Sequence, residues 1–500
     1  MIPVHITFQR VQTWLFNVPR LRAMVGANTL IGEALREDLP QLARQTGQGW
    51  TLSTAEGTYA AADPHDPLAA HDDPAQDARE GILARDGGHF EAVFASGAEA
   101  FADAAESLLQ AKAPGLRFQI SINKEARIKS SAQVSTDLPV LAPCEWTGNG
   151  LASAIITQGK DGHSVSLDVQ QRHEAAQRSV RGTAKDLASL LSNVTRLKDL
   201  ERPEDLGRLV SNGYMALIHA DGNGVGSAAG TDPVGRASFH HRNRVLLRQA
   251  LHKAIEEHCP EHGRAPLIPL MLGGDDLMLV CQAELALPFM CTLCKALDDL
   301  QANAGNGFKL TLGIGVIIAK HTVPIHHLHN VVGQLVDSAK QRYRSIPEGQ
   351  TKYSVIDWGV HSTSWIGDLG DDRQHDWVRG TGKELRLLSQ RPVIVNGDEF
   401  DSLEGLLKGA EKLKGAPRSQ LRFLVEQLPR GRALAELAFA ELSAGARKAL
   451  NDLGITEPWQ AGQSDAPRHT PLLDLVELAE IQRLGRTVRA EPTTTQETLA

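Results

Sequence analysis

Three aspartates carry the chemistry that this sequence offers most openly. Asp275 and Asp276 follow Gly273-Gly274 between two apolar runs, Leu267-Ile268-Pro269-Leu270-Met271-Leu272 and Leu277-Met278-Leu279-Val280-Cys281, and Asp221 closes a third, Met215 to Ala220. Adjacent carboxylates repel one another and are costly at a sheet edge unless a cation lies between them, and a hard divalent metal suits oxygen donors. The apolar runs read as buried strands, and a Gly-Gly start suits the positive φ angles of a tight hairpin. The hairpin therefore lifts two carboxylates clear of a sheet.

The elements around them predict how Asp221 joins. Residues 214–320 read as strand (Met215 to Ala220), helix (about Ala237 to His258), hairpin, helix (Pro288 to Gln301, with the proline tolerated at its start) and strand (Phe308 to Ile318). That β-α-β-β-α-β order is ferredoxin-like. In such a sheet the first strand lies beside the hairpin, so Asp221 is expected to face Asp275 although 54 residues separate them. Three converging carboxylates fit a two-metal site, with ions about 3.5–4 Å apart clamping the attacking and leaving oxygens of an in-line phosphoryl displacement. After Asp221 come Gly222, Asn223, Gly224, Val225 and Gly226, whose backbone N–H groups can approach phosphate oxygens at the start of the next helix. Lys340 ends an apolar-patterned helix and reaches a phosphate as a point charge.

Each piece also has a plainer reading. The tetrad alone fits a solvated hairpin, the Asp221 loop a simple strand-to-loop turn, and Lys340 a solvated helix end. Gly224 to Ala229 matches the dinucleotide fingerprint G-x-G-x-x-A, but a hairpin follows where a Rossmann unit needs a parallel strand. His326, His327 and His329 lack nearby acids or cysteines and read as packed or solvated. His71-Asp72, which would suit a metal nuclease, sits in an acidic loop without a partner motif.

A second copy of the element order precedes the first. Strand Pro3 to Phe8, helix Arg22 to Leu35, a hairpin over Ile82 to Phe94, helix Ala98 to Ala111 and strand Leu116 to Ile122 repeat it. Laying Gly87-Gly88 over Gly273-Gly274 puts His89 and Phe90 in place of Asp275 and Asp276. This copy keeps a hairpin and lacks the acids. Thr51 to Asp77 reads as a loop insertion, Gln460 to Arg468 as another loop, and Ala490 to Ala500 as a frayed tail. The fold class is α+β: a degenerate first unit over 1–140, a mixed and then helical segment over 141–205, a second unit over 206–365 and a helical region over 366–500.

Composition bounds the rest. A chain of 500 residues carries two to four domains at roughly 150 residues each. The net charge of −8 does not advertise a nucleic-acid binder. The longest apolar run, Leu310 to Ala319, is too short to span a membrane, and the amino end lacks a charged signal-peptide start, so a cytoplasmic protein is expected. Five cysteines argue against a disulfide framework. Cys291 and Cys294 read as helix-packing residues.

Together these motifs resemble the palm polymerase family found in the large signature subunit of type III CRISPR effector complexes. Asp221 to Gly226 is similar to that family's first acidic motif and Gly273-Gly274-Asp275-Asp276 to its signature tetrad. Leu312 to Lys320 with Pro324 and Ala339-Lys340 is similar to its last strand and following helix. Ile6 to Leu35 resembles the opening of its inactive first palm, and Cys144 to Gly148 its inter-palm cysteine motif. The resemblance covers most of residues 1–360. It implies a nucleotidyltransferase joining ATP into cyclic oligoadenylates between two facing palms, with two Mg²⁺ or Mn²⁺ ions held by Asp221, Asp275 and Asp276. It further implies phosphate contacts from Gly222 to Gly226, Gly273, Gly274 and Lys340, an acceptor nucleotide in the first palm, and guide or target RNA and effector subunits as partners. The chain departs from the family in beginning directly with the palm, so no HD nuclease activity is expected. Cys144 lacks partner cysteines for zinc, and Asn223 stands where an acid is common. A diguanylate-cyclase-like enzyme, a ribonucleoprotein scaffold with vestigial acids and a nucleotide sensor that binds without turnover are the competing readings.

Overall fold

Two six-stranded sheets organise the described residues. A computed structural model describes residues 2–46, 48–49, 66–69, 71–72, 77, 79–129, 142–148, 150–158, 160–210, 212–229, 233–302, 308–347, 349–361, 369–460 and 467–485. Most of the expected insertion at 51–77, the centre of the 460–468 loop and the tail at 490–500 fall outside those residues.

In the second unit the strand Tyr214–Gly222 lies centrally, flanked by Asp276–Gln282 and Leu312–Lys320, with Leu267–Gly273 at the edge. Even-numbered residues of the central strand, Ala216, Ile218 and Ala220, enter one core with the helices Pro233–His258 and Ala283–Leu300. Met215 and Leu217 face a second core shared with the first unit. A strand buried on both faces accounts for the unbroken apolar run. Pro288 lies inside the helix Ala283–Leu300, correcting the expectation that it starts there. The strand turns directly into the helix at Gln282, so the proline falls in the second turn.

Glycines on the Leu312–Lys320 strand allow close packing of the helix Ile325–Ser345. A β-carbon on Gly315 would lie 2.9 Å from Val336 N, and one on Gly313 would lie 2.6 Å from Lys340 Cγ. Val355–His361 pairs parallel to this strand, and Val393–Ile394 extends the same sheet. The helices from Leu403 to Leu484 complete the core on that side.

The first unit repeats the plan. Ile2–Gln9 is central between His89–Ser96 and Arg117–Ile122, and the helices Leu21–Glu33 and Ala98–Lys112 cover one face. Its hairpin register corrects the sequence alignment by one residue. Asp86 pairs with His89 across Gly87-Gly88, whereas Gly273 pairs with Asp276 across Gly274-Asp275. Gly88 thus stands for Asp275, His89 for Asp276 and Thr7 for Asp221. Gly87 and Gly88 both have positive φ, as a type I′ turn requires, whereas only Gly274 does in the second hairpin. The duplication extends past the first strand. Arg10, with φ 52°, precedes the helix Val11–Phe16 just as Gly224, with φ 69°, precedes Val225–Ala228.

Between the units lie a hairpin, Ala154–Gln158 with Asp161–Val165, and the helices Leu167–Val180 and Leu187–Val194. Cys144 is buried with Val18, Ala23, Ile156, Val165 and Val169. Hydrogen bonds from Thr147 and Ser166 lower its thiol pKa against the effect of burial. All five cysteines are free. No helix among the described residues is long and apolar enough to cross a membrane.

Candidate active site

The central strand and the hairpin bring the predicted aspartates together. Leu277 pairs with Ala220 and Gly313 with Asp221, which sets Asp221, Asp275 and Asp276 on one edge of the sheet. A β-carbon on Gly222 would lie 2.9 Å from Asp275 Cβ and closer still to its carboxylate, so the missing side chain at 222 admits Asp275 beside Asp221. Burial, and then the charge of Asp221, push the Asp275 carboxyl up to about 6. Asp276 is also raised, chiefly by burial, against the hydrogen bond from His219 that favours its ionised form.

Two side chains answer this charge unequally. Lys340 Nζ forms an ion pair with Asp221 Oδ2. Its stem crosses the strand where Gly313, opposite Asp221 in register, leaves room. His219 Nε2 lies 3.0 Å from Asp276 Oδ1. Asp275 has no ion pair among the described residues, and its oxygen donors are of the kind that hard divalent cations take. Among those residues no group of three or more His, Cys, Asp or Glu side chains is already arranged to hold a metal ion.

The expected phosphate loop divides. Val225 and Gly226, with Gly273 and Gly274, line a cleft of about 690 Å³ that also takes in Asp221, Asp275 and Asp276. Gly222, Asn223 and Gly224 are not among its lining residues. Asn223 is 2% exposed. Its backbone N–H donates to Thr311 O at 2.8 Å and its Nδ2 to Thr311 Oγ1 at 3.2 Å, which ties the loop to the neighbouring segment. The glycines lead into one short helical turn, Val225–Ala228, and not directly into the long helix at Pro233–His258.

Across the cleft stands the first unit. His5 and His89 stack there with ring centroids 5.3 Å apart, and Arg236 from the long helix donates to Glu91 at 2.7 Å. Burial keeps both imidazoles below the usual histidine range. The hairpin tips meet: a β-carbon on Gly273 would lie 3.2 Å from the Gly87 backbone.

Sequence reasoning missed the ionic cluster that joins the units. Asp72 accepts from Arg36 at 2.6 Å, from Arg85 at 2.8 Å and from Arg248. Asp86 pairs with Arg36 and with Arg244, and Asp66 with Arg248 at 2.9 Å. Asp72 is buried with its carboxylate held well below the usual range by these arginines, against the cost of burial. A metal-nuclease role for His71-Asp72 is thereby excluded. His219 was also missed. Its signal was parity, since it lies two residues before Asp221 and shares its face of the strand. Of the histidine triplet, His329 packs on Phe16 with centroids 4.8 Å apart, and His326 and His327 are exposed.

Residues 214–345 match the family described as Cas10/Cmr2, second palm domain. The second unit is therefore a palm of that type. No curated protein matches the chain. Among solved structures, the apo Csm1-Csm4 cassette is 14% identical, with 96% of this chain and 70% of the other covered and a TM-score of 0.44. Csm1 from T. onnurineus gives 14%, 97%, 69% and 0.44. The Csm1-Csm4 cassette in complex with cA4 gives 13%, 96%, 69% and 0.42.

Proposed function

We propose that this chain, with its Cas10/Cmr2-type second palm, is a metal-dependent nucleotidyltransferase joining nucleoside triphosphates, ATP by family resemblance, into a cyclic oligonucleotide messenger in antiviral defence. The observation that carries this reading is the Asp275 carboxylate lodged against Gly222 and beside Asp221, at the mouth of the cleft between the units.

Asp221, Asp275 and Asp276 are the residues to hold Mg²⁺ or Mn²⁺. When bound, such ions supply acidity to an attacking ribose hydroxyl and offset charge on a departing pyrophosphate. The chain's own groups do the positioning. Lys340 adds one positive charge beside Asp221 for a phosphate, and the Val225-Gly226 and Gly273-Gly274 backbones shape the seat. Gly222, Asn223 and Gly224 support that seat by admitting Asp275, tying the loop to Thr311 and closing the turn. The first unit supplies the facing wall for the acceptor nucleotide. The division at 1–140, 141–205, 206–365 and 366–500 is part of this proposal, as are guide or target RNA and effector subunits as partners.

A second reading, a ribonucleoprotein scaffold with vestigial acids, draws support from the Lys340–Asp221 ion pair, which neutralises one of the three carboxylates. Incubating the purified chain with each nucleoside triphosphate and Mg²⁺, then resolving products by mass, separates the readings. Cyclic oligoadenylate supports the first, a cyclic guanine dinucleotide points to diguanylate-cyclase-like chemistry, and no product favours the scaffold.

A further inference from the structure

Asp276 is held from behind by a polar chain that crosses from one unit to the other. His219 Nε2 is 3.0 Å from Asp276 Oδ1 and 3.4 Å from Gln12 Nε2, and Gln12 Oε1 is 2.7 Å from His329 Nε2. Gln12 belongs to the first unit's helix Val11–Phe16, and His329 to the helix Ile325–Ser345 of the second. His219 is 8% exposed, and its Nδ1 has no hydrogen-bond partner. A buried polar atom left unpaired costs about 1–3 kcal/mol, so an imidazole here is expensive unless its other nitrogen is used.

We propose that His219 and Gln12 are positioning residues for Asp276, so that this carboxylate is aimed only when the first unit is docked. An ionised Asp276 only accepts, so the proton on His219 Nε2 donates to Oδ1 and fixes the carboxylate plane. With the Gln12 amide turned so that its oxygen accepts from that same N–H and its nitrogen donates to His329 Nε2, the contact limits rotation of the imidazole. The duplicated unit shows that this diagonal contact is a product of the strand register. His5 and His89, at the positions of His219 and Asp276, are 3.2 Å apart. Partners behind metal-holding groups commonly change metal affinity or activity by about 10–100-fold when removed.

The inference rests on the nucleotidyltransferase reading, and its test keeps the two apart. Mn²⁺ binding to the full chain is titrated with a non-hydrolysable triphosphate analogue present, for the wild type and for D276N, H219A, H219Q and Q12A, alongside kcat, KM and melting temperature. The wild type is expected to bind Mn²⁺ and D276N to lose it. H219A should weaken binding at least about tenfold and lower kcat with little change in nucleotide KM. H219Q, whose amide restores a donor, should recover most of both. Q12A, altered only in the first unit at a partly exposed position, should move the same quantities in the same direction with melting unchanged. Wild-type affinity in H219A and Q12A would overturn the positioning role and leave the functional reading intact. Absence of Mn²⁺ binding by the wild type itself would overturn both.

Discussion

Asp275 occupies space that a side chain on Gly222 would fill, with an added β-carbon lying 2.9 Å from Asp275 Cβ and also touching Val225. Gly222→Ala should therefore push Asp275 out of the carboxylate set. Turnover is expected to fall at least about 100-fold, the scale of a misplaced reacting geometry, while the fold persists. Kinetics beside circular dichroism checks this. Near-normal turnover in the variant would show that Asp275 need not sit where it does.

Two glycines at the hairpin contact separate geometry from strain. A β-carbon on Gly273 meets only Gly87 backbone, at 3.2 Å, and backbone does not give way as a flexible side chain would. One on Gly87 meets nothing within 4 Å, but φ there is +60°. Gly273→Ala should wedge the hairpins apart and reduce turnover. Gly87→Ala should cost about 1–2 kcal/mol of stability and spare turnover once folded. Denaturant titration with initial rates for both variants tests the contrast.

The buried clasp between the units should dominate stability. Asp72 balances Arg36, Arg85 and Arg248, and Arg248 is fully buried. Asp72→Ala leaves three guanidinium groups short of a partner. A loss of about 3–5 kcal/mol is expected, as for breaking a buried ion pair from one side. Arg22→Ala, which breaks the exposed 2.6 Å pair with Glu204, should cost under about 1 kcal/mol. Urea unfolding of the two variants gives the comparison.

Acid should weaken the protein through His329. Burial, and then the charge of His219, lower its pKa to about 4, while Gln12 and Phe16 of the first unit pack against it. The unfolded chain binds this proton near pH 6.5 and the folded chain only near pH 4, so the stabilisation is present above about 6.5 and is lost as pH falls toward 4. A shift of that size corresponds to about 3 kcal/mol. His329→Gln should flatten the stability profile between pH 6.5 and 4. An unchanged slope would assign the acid sensitivity to other groups.

Strand and helix order in both units was legible because apolar runs and helical spacing follow from burial on both faces of a central strand. Hairpin register was not. Gly-Gly marks a tight turn without saying which residues are its two central ones, and Asp86 and Gly273 prove to be paired strand residues. The aspartates could be named from the sequence because acids closing apolar strands are conspicuous. Their supports were harder to see. His219 is hidden in an apolar run, the place of Lys340 depends on Gly313 opposite Asp221, and the Asp72 cluster joins charges that lie far apart in the chain.

The most direct test is product formation by the full chain supplied with nucleoside triphosphates and Mn²⁺, read by mass, for the wild type and for D275N and D276N. The account predicts a cyclic oligonucleotide from the wild type and at least about a 100-fold loss in each variant. Undiminished product in either variant, or none from the wild type with any of the four triphosphates, would contradict it.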